Sequence, residues 1–261
     1  MEPAPPLFDA QVHPEGLSDQ DLESLRLFGV TAALVSTGHL PPATARALLE
    51  HFDDIIEQQL PRLERAGIRA YAALGVHPRC VPRRGFPEVM AKLPSYFQGG
   101  KVVALGALGL HDVTFEEEDA FLEQVALARR LKLPIIVHTP RQDKERTTRR
   151  TLSLLREAGV RPNRVLVDRA SGRTVRPILE CGHYAGLTLH PDELKAERAA
   201  ALVRKLGPER LVANTHAGDG AGDILALARL ARLLAKGALS AGVVARVCRE
   251  NALDFFRLPD R

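Results

Sequence analysis

The sequence predicts an α/β protein: a single (β/α)8 TIM barrel with an additional C-terminal helix. Three observations lead there. Short apolar β-type runs alternate with amphipathic helical stretches from one end of the chain to the other. Eight such runs fit within 261 residues, the usual size of one barrel. Polar residues, histidine above all, recur where those runs end.

The expected strands, in order, are Leu7–Val12, Thr31–Ser36, Arg69–Val76, Val102–Leu108, Ile135–His138, Val165–Asp168, Ala185–Leu189 and Leu211–Asn214. Runs such as Pro134-Ile135-Ile136-Val137 are nearly continuous in apolar residues, as strands buried on both faces should be. Helical signals lie between them. Ser18 followed by Asp21 reads as an N-cap with an acidic first turn. Leu227, Leu230, Ala231 and Leu234 make one apolar helix face, and Val244, Val247, Cys248 and Phe255 another in a closing helix. Gly29, Gly67, Gly159, Gly182, Gly207 and Gly237 stand where left-handed helix caps are expected. An open, doubly wound sheet is the competing arrangement, because strand order is not written in the sequence. No GxGxxG follows the first strand and no Walker-type loop occurs, so nucleotide-cradling folds lose their main support.

Residues 1–6 form a short Pro-rich lead-in and residues 7–261 a single domain. The lead-in has neither a basic n-region nor an apolar h-region, and no apolar run is long enough to span a bilayer, so no membrane association is expected. Cys80, Cys181 and Cys248 are odd in number and far apart. They suggest buried, inert thiols and a cytoplasmic setting rather than a disulfide framework or thiolate zinc. The net charge of +4 favours small anionic ligands mildly and does not indicate nucleic acid.

In a barrel of this kind, chemistry belongs at the C-terminal ends of the strands. Seven of the nine histidines fall there: His13, His39, His77, His111, His138, His190 and His216. A two-residue period points Asp9, Gln11 and His13 to one face, into the barrel. Asp9 is the candidate general base, with a structural role as the competing assignment. Asp168 and Arg169 alternate along a strand, so Asp168 is expected to point away from Arg169. There is no G-x-S-x-G elbow, and Cys80 has no readable base beside it.

These residues resemble the TatD-like metal-dependent hydrolases of the amidohydrolase superfamily over nearly the whole chain. Phe8-Asp9-Ala10-Gln11-Val12-His13 stands where that family has Asp-x-His-x-His. Gly75-Val76-His77-Pro78, Ala104 to His111, Pro134 to His138 and Asn251 to Leu258 are similar to its further motifs, in the same order. The stretch from Val137 to Arg141 is similar to an archaeal branch of TIM-barrel hydrolases. The resemblance implies hydrolysis of a phosphodiester, ester or amide by two divalent cations. Their ligands would be two histidines after strand one, a glutamate after strand four, histidines after strands five and six, and an aspartate after strand eight.

At those positions this chain carries Gln11, His13, Ala107, His138, Arg169 and His216. Only His13 and His138 keep the family's ligand type. A bridging carboxylate is needed between two cations, and Ala107 has none. At about 5 Å, in an effective dielectric of about 20, a dication and a guanidinium repel by roughly 6–7 kcal/mol. One zinc or other divalent ion held by His13, His138 and His216 is one expectation, with hydrolysis following; three histidines and a water are a known catalytic zinc set. No metal is the other, with His77, Arg79, Arg141 and Arg169 holding a small anion at the mouth. That version allows a non-catalytic descendant that binds an anionic ligand or a protein partner.

Overall fold

The computed structural model describes residues 5–38, 44–236 and 241–259. His39, Gly237 and most of the Pro-rich lead-in lie outside them. Eight parallel strands run β1 (Leu7–Val12), β2 (Val30–Ser36), β3 (Arg69–Leu74), β4 (Val102–Gly109), β5 (Ile135–His138), β6 (Val165–Val167), β7 (Tyr184–Thr188) and β8 (Leu211–Asn214). Their spatial order follows the chain from β1 to β8. The ring then closes: the His216 amide donates to the Gln11 carbonyl at 2.9 Å, and the His13 amide to the Ala217 carbonyl at 2.7 Å. This is the (β/α)8 barrel, and the open sheet is set aside.

Around the strands lie α1 (Asp19–Leu27), α2 (residues 45–65), α3 (Phe86–Tyr96), α4 (Phe115–Leu131) and α5 (Lys144–Glu157). They are followed by α6 (Val175–Glu180), α7 (Ala196–Leu206), α8 (Ala226–Lys236) and the additional C-terminal helix α9 (residues 241–256). Ser18 caps α1 in a reciprocal box with Asp21. Strand ends agree with expectation to within two residues. The largest difference is β3, which stops at Leu74 rather than Val76. There the Gln124 side chain accepts from the Val76 amide at 2.7 Å and donates to its carbonyl at 3.1 Å, so an amide side chain takes over from the ladder.

Two apolar layers result. The larger lies between the strands and the helices; the smaller is inside the ring, where Phe8, Leu34, Ile136, Leu166 and Val212 meet. Phe255 and Phe256 of α9 close the lower end, with Phe8 stacked on Phe256 at 5.9 Å and Tyr184 against Phe255 at 5.1 Å. Cys80 and Cys248 are buried as expected, whereas Cys181 is exposed just beyond α6. Among the described residues no helix is long and apolar enough to cross a membrane.

Candidate functional site

The upper ends of the strands surround a cavity of about 510 Å3, within the range of small-molecule sites. His13, His77, Arg79, His138, Arg141, Arg169 and His216 all line it, together with Gln11, Ala107 and His111. The strand-end rule therefore brings nearly every proposed site residue to one chamber. His190 stands just behind it. Its Nε2 faces the Asp219 carbonyl at 3.1 Å and its Nδ1 accepts from the Asp192 amide at 3.2 Å, bracing two loops together.

Asp9 is the exception, and its expected inward direction is corrected. Asp9 pairs with Ala33 and Val12 with Val35, so β1 takes three steps while β2 takes two. The extra residue shifts the alternation, which turns Gln11 and His13 into the chamber and Asp9 outward. There Asp9 is fully buried; it accepts from the Thr215 amide at 3.0 Å and the Thr215 hydroxyl at 2.6 Å. Burial pushes its carboxyl up to about 6, against the lowering effect of Thr215. Asp9 ties β1 to β8 beneath the mouth.

Asp168 corrects a second expectation. It follows β6 directly and lines the chamber beside Arg169, because Arg169 adopts a left-handed backbone, φ 56°, and strict alternation stops there. Asp168 Oδ1 accepts from the Asn214 side chain at 2.8 Å and the Thr188 hydroxyl at 3.1 Å. Its Oδ2 lies 2.8 Å from His216 Nε2. Burial alone would raise this carboxyl; the His216 hydrogen bond and the nearby Arg169 charge hold it well below the usual carboxylate range. An ionised carboxylate only accepts, so Nε2 of His216 carries the hydrogen and Nδ1 keeps the lone pair.

That lone pair is already met. Arg169 Nη2 lies 3.2 Å from His216 Nδ1, and His13 Nε2 lies 3.3 Å from it. Burial first, and then the Arg169 charge, lower His216 to about 4 despite Asp168, so its ring is neutral at physiological pH. His216 is itself left-handed, φ 51°; two strained non-glycine residues thus face one another across the chamber.

Arg169 is not a free cation. Its Nη1 donates to Glu193 Oε1 at 3.1 Å and its Nη2 to Asp219 Oδ2 at 3.3 Å. Glu193 also receives Arg141 Nε at 3.1 Å and Lys144 Nζ at 2.6 Å, while Arg141 reaches Asp192 at 3.0 Å. Arg79 is exposed and, among the described residues, makes no ion pair. Sequence reasoning missed Glu193, Asp219 and the role of Asp168. Glu193 and Asp219 lie five residues beyond the ends of β7 and β8, where a strand-end count does not reach.

On the opposite wall, His138 packs its ring 4.4 Å from His77 and 5.9 Å from His111. Burial, and then the neighbouring His77 and Arg169, hold His138 well below the usual histidine range. Its Nε2, with Gln11 Oε1 and His111 Nδ1, is buried without a hydrogen-bond partner among the described residues. Glu15 lies 3.4 Å from His13 Nδ1. Burial alone would raise the Glu15 carboxyl, but its contact with His13 leaves it lowered.

The donor chemistry can be tested against a divalent metal. Ala107 offers a methyl group to the chamber where a bridging carboxylate would be needed. Both nitrogens of His216 are engaged, one by Asp168 and one by a guanidinium. Among the described residues no group of three or more histidine, cysteine, aspartate or glutamate side chains is arranged to hold a metal. The residues in this arrangement do not fit a pair of divalent cations, nor a single one on His13, His138 and His216 together.

Comparison with known proteins adds the following. A family model described as TatD related DNase matches residues 8–257. An uncharacterised metal-dependent hydrolase of Methanocaldococcus jannaschii is 30% identical over 255 residues, spanning 97% of this chain and 100% of that one. A TatD-like protein of Archaeoglobus fulgidus superimposes with a TM-score of 0.81 at 28% identity, over 96% of this chain and 100% of that one. A TatD homologue of Escherichia coli shares the fold, with a TM-score of 0.70 at 20% identity over 97% and 98% of the two chains.

Proposed function

We propose a function from one premise: this chain belongs to the TatD-related family of metal-dependent hydrolases. Our reading is that it hydrolyses a small anionic ester, a phosphodiester being the first candidate, at the barrel mouth. The metal pair is replaced by a protein cation, Arg169, and a protein base, His216. The observation that carries this is the chain Asp168–His216–Arg169, with contacts of 2.8 and 3.2 Å.

The chemistry follows from the tautomer. Asp168 fixes the hydrogen on Nε2, so Nδ1 can accept a proton once Arg169 turns to the substrate's anionic group. Water then attacks the phosphorus or carbonyl carbon while Nδ1 takes its proton. Asp168 stabilises the imidazolium so formed, and the same proton passes to the departing oxygen. Arg169 offsets charge gathering on the non-bridging oxygens, as a guanidinium does in phosphoryl transfer. A cytoplasmic setting suits cysteines that are few, odd in number and far apart in the chain.

The test is turnover of bis-(p-nitrophenyl) phosphate and p-nitrophenyl acetate by chelator-treated protein. Turnover that survives the chelator and drops in His216→Ala and Asp168→Ala supports the reading. Turnover that requires added zinc or manganese overturns it. The same guanidinium on His216 supports a second reading, a non-catalytic descendant that binds an anionic ligand at this mouth. No turnover of either substrate, with phosphate still bound, would identify that case.

A further inference from the structure

Three cations from neighbouring loops converge on one buried carboxylate at the edge of the mouth. Arg141 and Lys144 follow β5, Arg169 follows β6, and the carboxylate is Glu193 in the loop between β7 and α7. The Glu193 side chain is only 6% exposed, and those of Lys144 and Arg169 12% each. Asp192 and Asp219 also touch Arg141 and Arg169, but their side chains are about half exposed, at 57% and 49%, where water screens them. In the buried part of the cluster, Glu193 faces Lys144 and Arg169, and the ionised Asp168 lies close enough to Arg169 to feel its charge.

The cations are held in place independently of Glu193. The left-handed backbone of Arg169 presents its carbonyl to Lys144 Nζ at 2.8 Å, which locks the two together. Arg169 Nε is buried and has no hydrogen-bond partner among the described residues. A donor is thus left over after Glu193, His216 and Asp219 have been served. On the far side of Glu193 lies a groove of about 560 Å3 that carries Arg146 and Arg149, both exposed and without an ion pair among the described residues, alongside the carboxylates of Asp143, Glu145 and Asp192. A carboxylate holds two oxygens in a plane, whereas a phosphate dianion offers more acceptors and twice the charge.

We propose that Arg141, Lys144 and Arg169 form a binding site for the phosphate group of a small phosphorylated molecule, and that Glu193 fills this site until the phosphate displaces it. The inference rests on the reading that the mouth takes an anion, and it names that anion's class and seat. Glu193 acts as an internal competitor. Its removal should strengthen the binding of phosphate rather than weaken it, which a purely structural ion pair would not do.

The experiment is calorimetric titration of inorganic phosphate at constant ionic strength and about pH 8, where phosphate is doubly charged. Wild type and Glu193→Gln are compared, with acetate as the monoanion control. The expected result is phosphate affinity about tenfold or more higher in Glu193→Gln, with acetate binding far more weakly. Equal or weaker phosphate binding in that variant overturns the proposal, as does acetate binding as well as phosphate. Should Glu193→Gln fail to fold, thermal melts of wild type and Lys144→Met decide. A phosphate-dependent rise in Tm present in the first and lost in the second supports the site; no rise in wild type overturns it. Neither readout involves turnover, so a failure to hydrolyse esters sinks the proposed function without touching this result.

Discussion

Asp168 and His216 act as one unit, and Asp9 opposes them in the acid range. His216 is lowered to about 4 in the folded protein from an ordinary 6.5, so its contribution to stability is present above pH 6.5 and is lost as pH falls towards 4. Asp9 is raised to about 6 from 3.8; its contribution is present below pH 3.8 and is lost as pH rises through 6. The two partly cancel on acidification. We therefore expect Asp9→Asn to show a steeper fall in Tm between pH 6.5 and 4 than wild type, measured by circular dichroism. A shallower fall would contradict these assignments. Asp168→Asn removes an ionised acceptor from three buried donors and should cost about 2–5 kcal/mol in urea unfolding. At this scale the sequence was informative about residue types and poor about direction. The histidines were found by their strand-end positions. Asp168 was expected to point away because alternation says nothing of a left-handed Arg169, and Asp9 was expected inward because a one-residue bulge leaves no mark in composition.

Strand-to-strand contacts at the mouth depend on two glycines. A Cβ on Gly186 of β7 would lie 2.2 Å from Asp168 Oδ1, and one on Gly218, which has φ 94°, would lie 1.9 Å from the His13 carbonyl oxygen. Gly186→Ala should therefore displace the Asp168 carboxylate and release His216. In histidine 15N NMR, the Nε2-bound hydrogen expected in wild type should no longer be fixed in the variant; an unchanged His216 signal would argue against the contact. Gly218→Ala should destabilise the β1–β8 closure by about 1–3 kcal/mol, both through backbone strain and through the clash. The elements themselves were legible, since period and capping are local properties. β3 ended early because a side chain 48 positions away, Gln124, replaced its ladder, and no local signal reports that. Glu193 went unnoticed for a related reason: the β7–α7 loop places it by a turn on His190, not by strand geometry.

The barrel as a whole keeps an apolar closed end well apart from its site. Phe255, 1% exposed, sits with Phe8, Tyr184 and Phe256 at the closed end, remote from the chamber. Phe255→Ala should cost about 3–5 kcal/mol in unfolding while leaving phosphate affinity unchanged; a change in affinity would show that the two ends are coupled. The fold was readable because eight alternating units admit few arrangements, although closure itself had to be seen. What the family resemblance could not convey is how the replaced positions compensate one another. The account's central claim is that Arg169, bound to His216 and Glu193, occupies the place of the metal pair. Elemental analysis of untagged protein, produced with zinc and manganese supplied and compared with His13→Ala, tests it most directly. The account predicts no stoichiometric metal in either sample. One or two equivalents in wild type, lost in His13→Ala, would contradict it.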